Sequence, residues 1–221
     1  FIDVDPFGSP NPFLDSAVKR LRNEGYLAVT CTDTASLSGT YPKVCMRKYW
    51  AVPRNDSNRH ETGLRILIRK VQLIGAQYHK ALVPVFCYSH KHYFRAYFQC
   101  FSSKSESDEV MGKHGTIGEA GPMWLGNLWD AALVRKMRDN CDGESLKMVN
   151  LIVNEAGVDK AGFFDVHEIC ERYKFKSIPK TADIIERIEA KRYKAVRTHF
   201  SPTGIRSDID LKGFADVIGK L

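Results

Sequence analysis

Paired cysteines, long apolar runs and a glycine-rich phosphate loop are all missing from this 221-residue chain. No stretch approaches the ~20 consecutive apolar residues that span a bilayer, and the N-terminal residues do not read as a signal peptide, so no membrane partner is expected. Cys31, Cys45, Cys87, Cys100, Cys141 and Cys170 are scattered without a C-x-x-C pair, several of them in apolar runs where a thiol behaves as a small hydrophobe. That distribution argues against a disulfide framework and suits a reducing, cytoplasmic setting. His90 and His92 lie near Cys87, but Ser89-His90-Lys91 reads more simply as a hairpin turn, and no metal site is expected. No G-x-G-x-x-G occurs anywhere in the chain.

What is present is length for one large or two modest domains, 43% hydrophobic residues and a formal charge of +7. The positive charge is informative through its location. Between Arg172 and Arg206 lie ten Lys and Arg against three Asp and Glu, a stripe that attracts phosphate. Lys180, Arg187, Lys191, Arg192, Lys194 and Arg197 are its candidate contacts. For any one of them a solvated charged face explains the residue as well; together they favour nucleic acid.

The segment Phe1-Ile2-Asp3-Val4 reads as an apolar strand that stops at Asp5-Pro6-Phe7-Gly8. Such an ending suits methyl transfer to a base amine. The exocyclic nitrogen of a nucleobase delocalises its lone pair into the ring and is a poor nucleophile. Asp5 and the Pro6 carbonyl can accept both of its N–H bonds and favour a tetrahedral nitrogen whose lone pair points at an electrophile. Phe7 would stack on an extruded base, and Gly8 would let the backbone approach closely. An ordinary strand-to-helix turn uses the same residue types, and these four residues alone leave both readings open.

Phe13, Leu14, Ala17, Val18 and Leu21 fall at helical spacing, with Gly25 placed to end the helix, and Tyr26 to Cys31 reads as a buried strand. Strand, helix, strand predicts a parallel pair whose ends open on one edge, so that Asp5 shares a crevice with the Thr30-Cys31-Thr32-Asp33 segment. Asn58 and Glu61 have capping-box spacing ahead of a long helix carrying Leu64, Leu67, Ile68, Val71, Ile74 and Tyr78. Strands at 81–87 and 92–101 would complete the sheet as an antiparallel hairpin. The polar stretch Ser102 to Asp108, continuing through glycines to Gly121, predicts a boundary with domains at 1–101 and 102–221.

Three motifs then appear in order: Asp5-Pro6-Phe7-Gly8-Ser9-Pro10, Thr32-Asp33-Thr34-Ala35-Ser36-Leu37-Ser38-Gly39 and His60-Glu61-Thr62-Gly63-Leu64-Arg65-Ile66-Leu67. Tyr93-Phe94-Arg95, Gly121-Pro122-Met123-Trp124-Leu125-Gly126 and Arg197-Thr198-His199-Phe200-Ser201-Pro202-Thr203-Gly204-Ile205-Arg206-Ser207-Asp208 follow. From end to end the chain resembles the tRNA guanine-26 N2-dimethyltransferases. The resemblance implies methyl transfer from S-adenosylmethionine to the 2-amino group of a guanine in tRNA, with Asp5, Pro6 and Phe7 at the target-base motif; Gly8, Thr32 and Asp33, at the same expected edge, are further candidate substrate-binding positions, Asp33 for positioning base or cofactor. It also implies that the cofactor-binding glycine-rich turn lies upstream, so the chain reads as a fragment whose missing N-terminal half is a partner. The cysteine pairs that some members carry before the Gly-Pro-x-Trp motif are absent here. Glu61 is a further candidate for positioning base or cofactor, although helix capping explains it equally well, and Cys31 is no nucleophile in a direct displacement.

The expected fold is therefore α/β: the second half of a Rossmann-like class I methyltransferase sheet, then an α+β domain. In that domain Leu128, Ala132 and Met137 suggest one helix, and Leu146, Val149, Ile152, Val153 and Ala156 a second. Asp165 and Glu168 open a third that runs through Tyr173, and 179–192 reads as a fourth. Strands 194–200 and 205–209 would join through a type I turn at Ser201-Pro202-Thr203-Gly204, and helix, helix and basic hairpin suggest a winged-helix arrangement. Two other functions stay open: an inactive tRNA-binding fragment and an amino-methyltransferase acting on adenine.

Overall fold

Ile2–Val4 (β1) and Tyr26–Cys31 (β2) pair in parallel, with Ile2 opposite Leu27, Asp3 opposite Ala28 and Val4 opposite Val29. Asn11–Arg20 (α1) connects them and buries Leu14, Ala17 and Val18, while Phe13 stays half exposed. Gly25 does not end this helix. It stops at Arg20, where the Leu21 amide donates to the Ala17 and Val18 carbonyls and the backbone turns extended, and Gly25 lies in the following turn.

The computed structural model describes all residues from 1 to 221, which fall into two compact units, Phe1–Asp130 and Ala131–Leu221. No helix in it is long and apolar enough to cross a membrane. After β2 come two short helices absent from the sequence reading, Thr34–Leu37 (α2) and Pro42–Tyr49 (α3), then the long helix Arg59–Ala76 (α4). Lys80–His90 (β3) and Tyr93–Ser102 (β4) form the expected antiparallel hairpin, turning at Lys91-His92. Strand order is β1-β2-β4-β3, a mixed sheet in which Pro84, with no N–H to donate, sits at a register shift in an edge strand.

Two expectations in this unit fail for local reasons. Asn58 is the N-cap of α4 but its side chain makes no capping bond, and Glu61 faces inward. There Glu61 Oε1 accepts from Arg65 Nε at 2.9 Å, and Arg65 Nη1 donates to the carbonyls of Trp124 (3.0 Å) and Gly126 (2.8 Å). The supposed capping box is a buried ion pair that ties the His-Glu-Thr-Gly motif to the Gly-Pro-Met-Trp motif. The polar stretch after residue 102 is likewise no linker. Ser103 caps Lys104–Gly112 (α5), accepting from the Glu106 amide, and Ser107 and Val110 turn inward. His114–Ile117 (β5) and Ala120–Trp124 (β6) then form a hairpin, and the division between units falls after Asp130.

The second unit contains Ala131–Arg138 (α6), Gly143–Glu155 (α7), Phe164–Asp165 (β7), Val166–Tyr173 (α8), Thr181–Ala190 (α9), Ala195–Arg197 (β8), Gly204–Ser207 (β9) and Leu211–Ile218 (α10). Leu128, expected on the first of these helices, is buried ahead of it in the other unit. The sheet order is β7-β9-β8, and Ile169, Ile184, Ile188, Ile205 and Phe214 close the core from α8, α9, β9 and α10. Asp165 caps α8 through the amides of His167 (3.0 Å) and Glu168 (3.2 Å). Its other oxygen accepts from Ser201 (3.0 Å) and Thr203 (2.6 Å), pinning the turn between β8 and β9. Glu155, fully buried, accepts from Thr198 Oγ1 (2.6 Å), His199 Nδ1 (2.6 Å) and Arg206 Nε (3.1 Å).

In the first unit Arg95 stitches three strands. It stands on β4 opposite Thr30 of β2, donates to Thr30 Oγ1, and forms a two-pronged pair with Asp3 of β1 at 2.8 and 2.7 Å. Arg95→Met should remove this clamp at a local cost of about 1–3 kcal/mol. Amide exchange over Ile2 to Asp5 is expected to accelerate accordingly, and unchanged protection there would show that the clamp does not hold β1.

Glu155 supplies a second expectation. Burial alone would raise its pKa, but His199, Arg206 and Thr198 outweigh burial and hold it below the ordinary 4.5. A carboxyl group whose pKa is lower folded than unfolded stabilises fully above the unfolded value and loses that contribution as pH falls through the folded one. The stability of the second unit should therefore decline as pH drops below about 4.5. Glu155→Gln should flatten that decline and cost about 3–5 kcal/mol at pH 7, because Arg206 is left buried without its counter-charge. Urea midpoints at pH 7 and pH 4 measure both effects.

Candidate active site

The parallel pairing of β1 and β2 delivers two chain segments to one edge of the sheet, and there they lock together. Gly8 N donates to Thr32 Oγ1 at 2.7 Å, and Thr32 N donates to the Gly8 carbonyl at 3.0 Å. Gly8 makes this contact at φ +82, a conformation that L side chains rarely adopt, and the position a Cβ would take is open space. The Asp5 turn and the end of β2 thus adjoin at one sheet edge, with Gly8 and Thr32 in direct contact.

The other members of the turn face outward. Asp5 is exposed and its carboxylate accepts no hydrogen bond, Pro6 is half-buried, and Phe7 has a relative exposure of 105%. A carboxylate, a carbonyl from a residue without an N–H and a free aromatic ring therefore converge on three consecutive positions, all held by the backbone lock at Gly8. Chemically this is an acceptor set for an N–H-bearing planar group with a stacking surface beside it.

Behind the turn lies a polar web that sequence reasoning missed. Tyr49, at the end of α3 and fully buried, donates to Ser9 Oγ at 2.9 Å and lies 3.4 Å from Asp33 Oδ2 and 3.5 Å from Cys31 Sγ. Lys48 Nζ bonds Asp33 Oδ2 at 2.8 Å, and Asn11 Nδ2 donates to the Lys48 carbonyl at 2.9 Å. Burial raises the pKa of the Tyr49 hydroxyl, so it remains a donor at neutral pH. Burial also pushes the Cys31 thiol up to about 11, which leaves it protonated and a poor nucleophile. Asp33 thus reaches the site as the carboxylate that anchors α3 to the end of β2. The faint signal for α3 was Cys45 and Tyr49 at i, i+4, easily lost among the basic residues around them.

The six candidate cations of the second unit are all exposed but not all together, while Arg206, counted in the same stripe, is fully buried. Lys180 precedes α9, while Arg187, Lys191, Arg192 and Lys194 gather at its far end, about 15 Å away along a ten-residue helix. Arg187 donates to the Lys220 carbonyl (2.7 Å), Lys194 to that of Gly157 (2.9 Å) and Arg197 to that of Pro202 (3.2 Å).

The model of the N2,N2-dimethylguanosine tRNA methyltransferase family matches residues 1–119 and 115–219. The tRNA (guanine(26)-N(2)/guanine(27)-N(2))-dimethyltransferase of Aquifex aeolicus is 33% identical, with 100% of this chain and 63% of the relative covered. For the tRNA (guanine(26)-N(2))-dimethyltransferase of Methanocaldococcus jannaschii the figures are 34%, 98% and 64%. Trm1 from Pyrococcus horikoshii, solved in complex with S-adenosyl-L-methionine, superposes with a TM-score of 0.93 at 35% identity, covering 99% of this chain and 65% of that one. The chain thus spans a little under two thirds of the length of these relatives, and its mixed α/β sheet is the Rossmann-like sheet expected. With matches running from its first strand to its last helix, the chain belongs to the N2,N2-dimethylguanosine tRNA methyltransferase family.

Proposed function

We propose that this chain carries the base-acceptor half of an enzyme that moves methyl groups from S-adenosylmethionine to the exocyclic N2 of guanine 26 in tRNA, first one and then a second. The observation that supports it most is the Asp5-Pro6-Phe7 turn, outward-facing and unbonded, locked by Gly8 and Thr32 at the common end of two parallel strands. In this reading Phe7 stacks on the extruded guanine. Asp5 and the Pro6 carbonyl accept its amine hydrogens, and the nitrogen lone pair is drawn out of conjugation. Gly8 and Thr32 form the floor of the base site and Asp33 its rim. S-adenosylmethionine supplies an electrophilic methyl group for direct displacement, so the chain needs no nucleophile of its own. The residues here fit the acceptor side of that chemistry. The reading assigns the glycine-rich cofactor turn to the part of the family's length that this chain does not span, which makes that part its first partner.

The second unit is read as the tRNA-docking domain. Its order β7-α8-α9-β8-β9, with sheet order β7-β9-β8, suits a winged helix in which α9 and the β8–β9 hairpin meet RNA. Lys180, Arg187, Lys191, Arg192, Lys194 and Arg197 would contact phosphates, which positions a folded RNA without reading its bases. The domain division proposed follows the structural one, methyl transfer in 1–130 and docking in 131–221, and the compartment follows the substrate, the cytoplasm.

Transfer of labelled methyl from S-adenosylmethionine to tRNA transcripts tests the proposal. The whole protein should label a transcript with G26 and not one with A26. Asp5→Ala should lower the rate by at least ~100-fold with tRNA affinity nearly intact. Labelling of the A26 transcript alone would point to an adenine enzyme, and salt-sensitive binding without transfer to an inactive tRNA binder.

A further inference from the structure

Between Asp33 and Asp56 the chain has no acidic residue but four cations, Lys43, Arg47, Lys48 and Arg54. Lys48 is taken by Asp33 and Arg54 by Asp56, whereas Lys43 and Arg47 are exposed and in no ion pair. Along α3 the positions Lys43, Met46, Arg47 and Trp50 follow one another at i, i+3, i+4 and i+7, which is one helix face. All four are exposed, Trp50 at 51%, while Cys45 and Tyr49 on another face are fully buried. The helix is therefore seated by its apolar side and presents a basic, aromatic stripe outward.

Trp50 is held in place. It closes α3 in a left-handed conformation at φ 56, with its amide bonded to the Met46 carbonyl at 3.1 Å, a backbone state a bulky residue adopts at some cost. Lys70 Nζ lies 3.3 Å from the centre of its ring. Lys70 is itself buried, and the charged group that bears on it is another cation, Arg69. The stripe also adjoins the acceptor turn, because Lys48 and Tyr49 of the same helix bond Asp33 and Ser9.

We infer that the Lys43, Met46, Arg47, Trp50 stripe is a second RNA-binding surface, which grips the unstacked strand beside the extruded base, with Trp50 stacked on a neighbouring base and Lys43 and Arg47 on phosphates. The inference rests on the tRNA reading above and adds to it a contact in the first unit. Cations interleaved with an exposed aromatic match what single-stranded RNA offers, a π-face per base and a charge per phosphate. A second copy of the chain would bring two basic stripes together, and an apolar segment would bury Arg47 without a counter-charge. A polyanion does neither.

The test uses the whole protein and an unmodified tRNA transcript. Trp124 and Trp129 are buried and Trp50 is exposed, so the acrylamide-quenched emission that Trp50→Phe removes belongs to Trp50, and saturating tRNA should protect that component. Trp50→Ala should weaken tRNA binding about 5- to 150-fold and Trp50→Phe should restore part of the loss, as expected for stacking. Lys43→Ala with Arg47→Ala should reduce the slope of log affinity against log salt by about 1.4, the share of two single-strand phosphate contacts. Unchanged quenching with tRNA bound, together with wild-type affinity and slope in the variants, would overturn the inference while leaving the methyltransferase reading intact. A change in oligomeric state instead of RNA affinity would overturn it in favour of a protein partner. Failure of the wild-type protein to bind tRNA at all would remove both.

Discussion

Two hydrogen bonds between Gly8 and Thr32 hold the candidate site together, and they exist only because β1 and β2 run parallel. A parallel pair places both C-terminal ends at one edge, so the turn that leaves β1 meets the first residues beyond β2 without any long-range search. The candidate acceptor groups of the first unit are arranged around that meeting. Arg95 secures the strand beneath it through Asp3, and the Tyr49 web secures the helix behind it through Ser9 and Asp33. Asp5, Pro6 and Phe7 are left with nothing to hold. Exposed Asp5 and Phe7 with half-buried Pro6 between them, on a turn fixed from two sides, suit the proposed role of a preorganised acceptor, since little of their geometry would have to change when a ligand arrives.

Buried charge explains why several motifs look catalytic without being placed at the site. Glu61 and Arg65 are almost wholly removed from solvent, and Arg65 Nη1 donates to the Trp124 and Gly126 carbonyls. Glu155 does the same work in the second unit, collecting Thr198, His199 and Arg206, while Arg206 Nη1 reaches the Lys160 and Gly162 carbonyls. An ion pair in such a setting is costly to break because the survivor is left charged and dry. Residues of this kind tolerate little substitution whether or not they touch a substrate. The long motif from Arg197 to Asp208 belongs with them: its Thr198, Ser201 and Thr203 hydroxyls and the Arg206 guanidinium are committed to Asp165 and Glu155.

This distinction also marks how far the sequence could be read. The strand, helix, strand opening, the β3–β4 hairpin and the Asp165 cap were legible because each rests on a local rule, apolar period, a turn or a side-chain oxygen one turn ahead of its amides. Glu61 was misread because capping-box spacing is also the spacing from which an inward Glu reaches Arg65, and only the packing of β6 on α4 decides between them. The stretch after Ser102 was misread as a linker because its composition is polar, although Ser103 and Glu106 carried the start of a helix within it. Leu211–Ile218 went unread altogether, although Asp210 caps it and Phe214, Ala215, Val217 and Ile218 are buried. The acceptor turn itself was legible as residues, but its lock to Thr32 depends on the register between two strands.

Charge on this protein falls into two kinds that act differently. The cations around α9 are spread over both ends of a helix, and three of the six candidates there, Arg187, Lys194 and Arg197, donate to backbone carbonyls of their own unit. They are tethered, and they suit the recognition of a shape made by phosphates at fixed separation. Lys43 and Arg47 of α3 are in no ion pair and share a helix face with Trp50, beside the turn proposed to receive the base. Extruding a base costs a few kcal/mol of lost stacking, and a turn that contacts only the extruded base must offset all of it. A surface that stacks the base left behind shares that cost with the turn. On the reading proposed, the aromatic stripe belongs next to Phe7, where the unstacking would occur, while the broader basic field would serve the approach and register of the RNA.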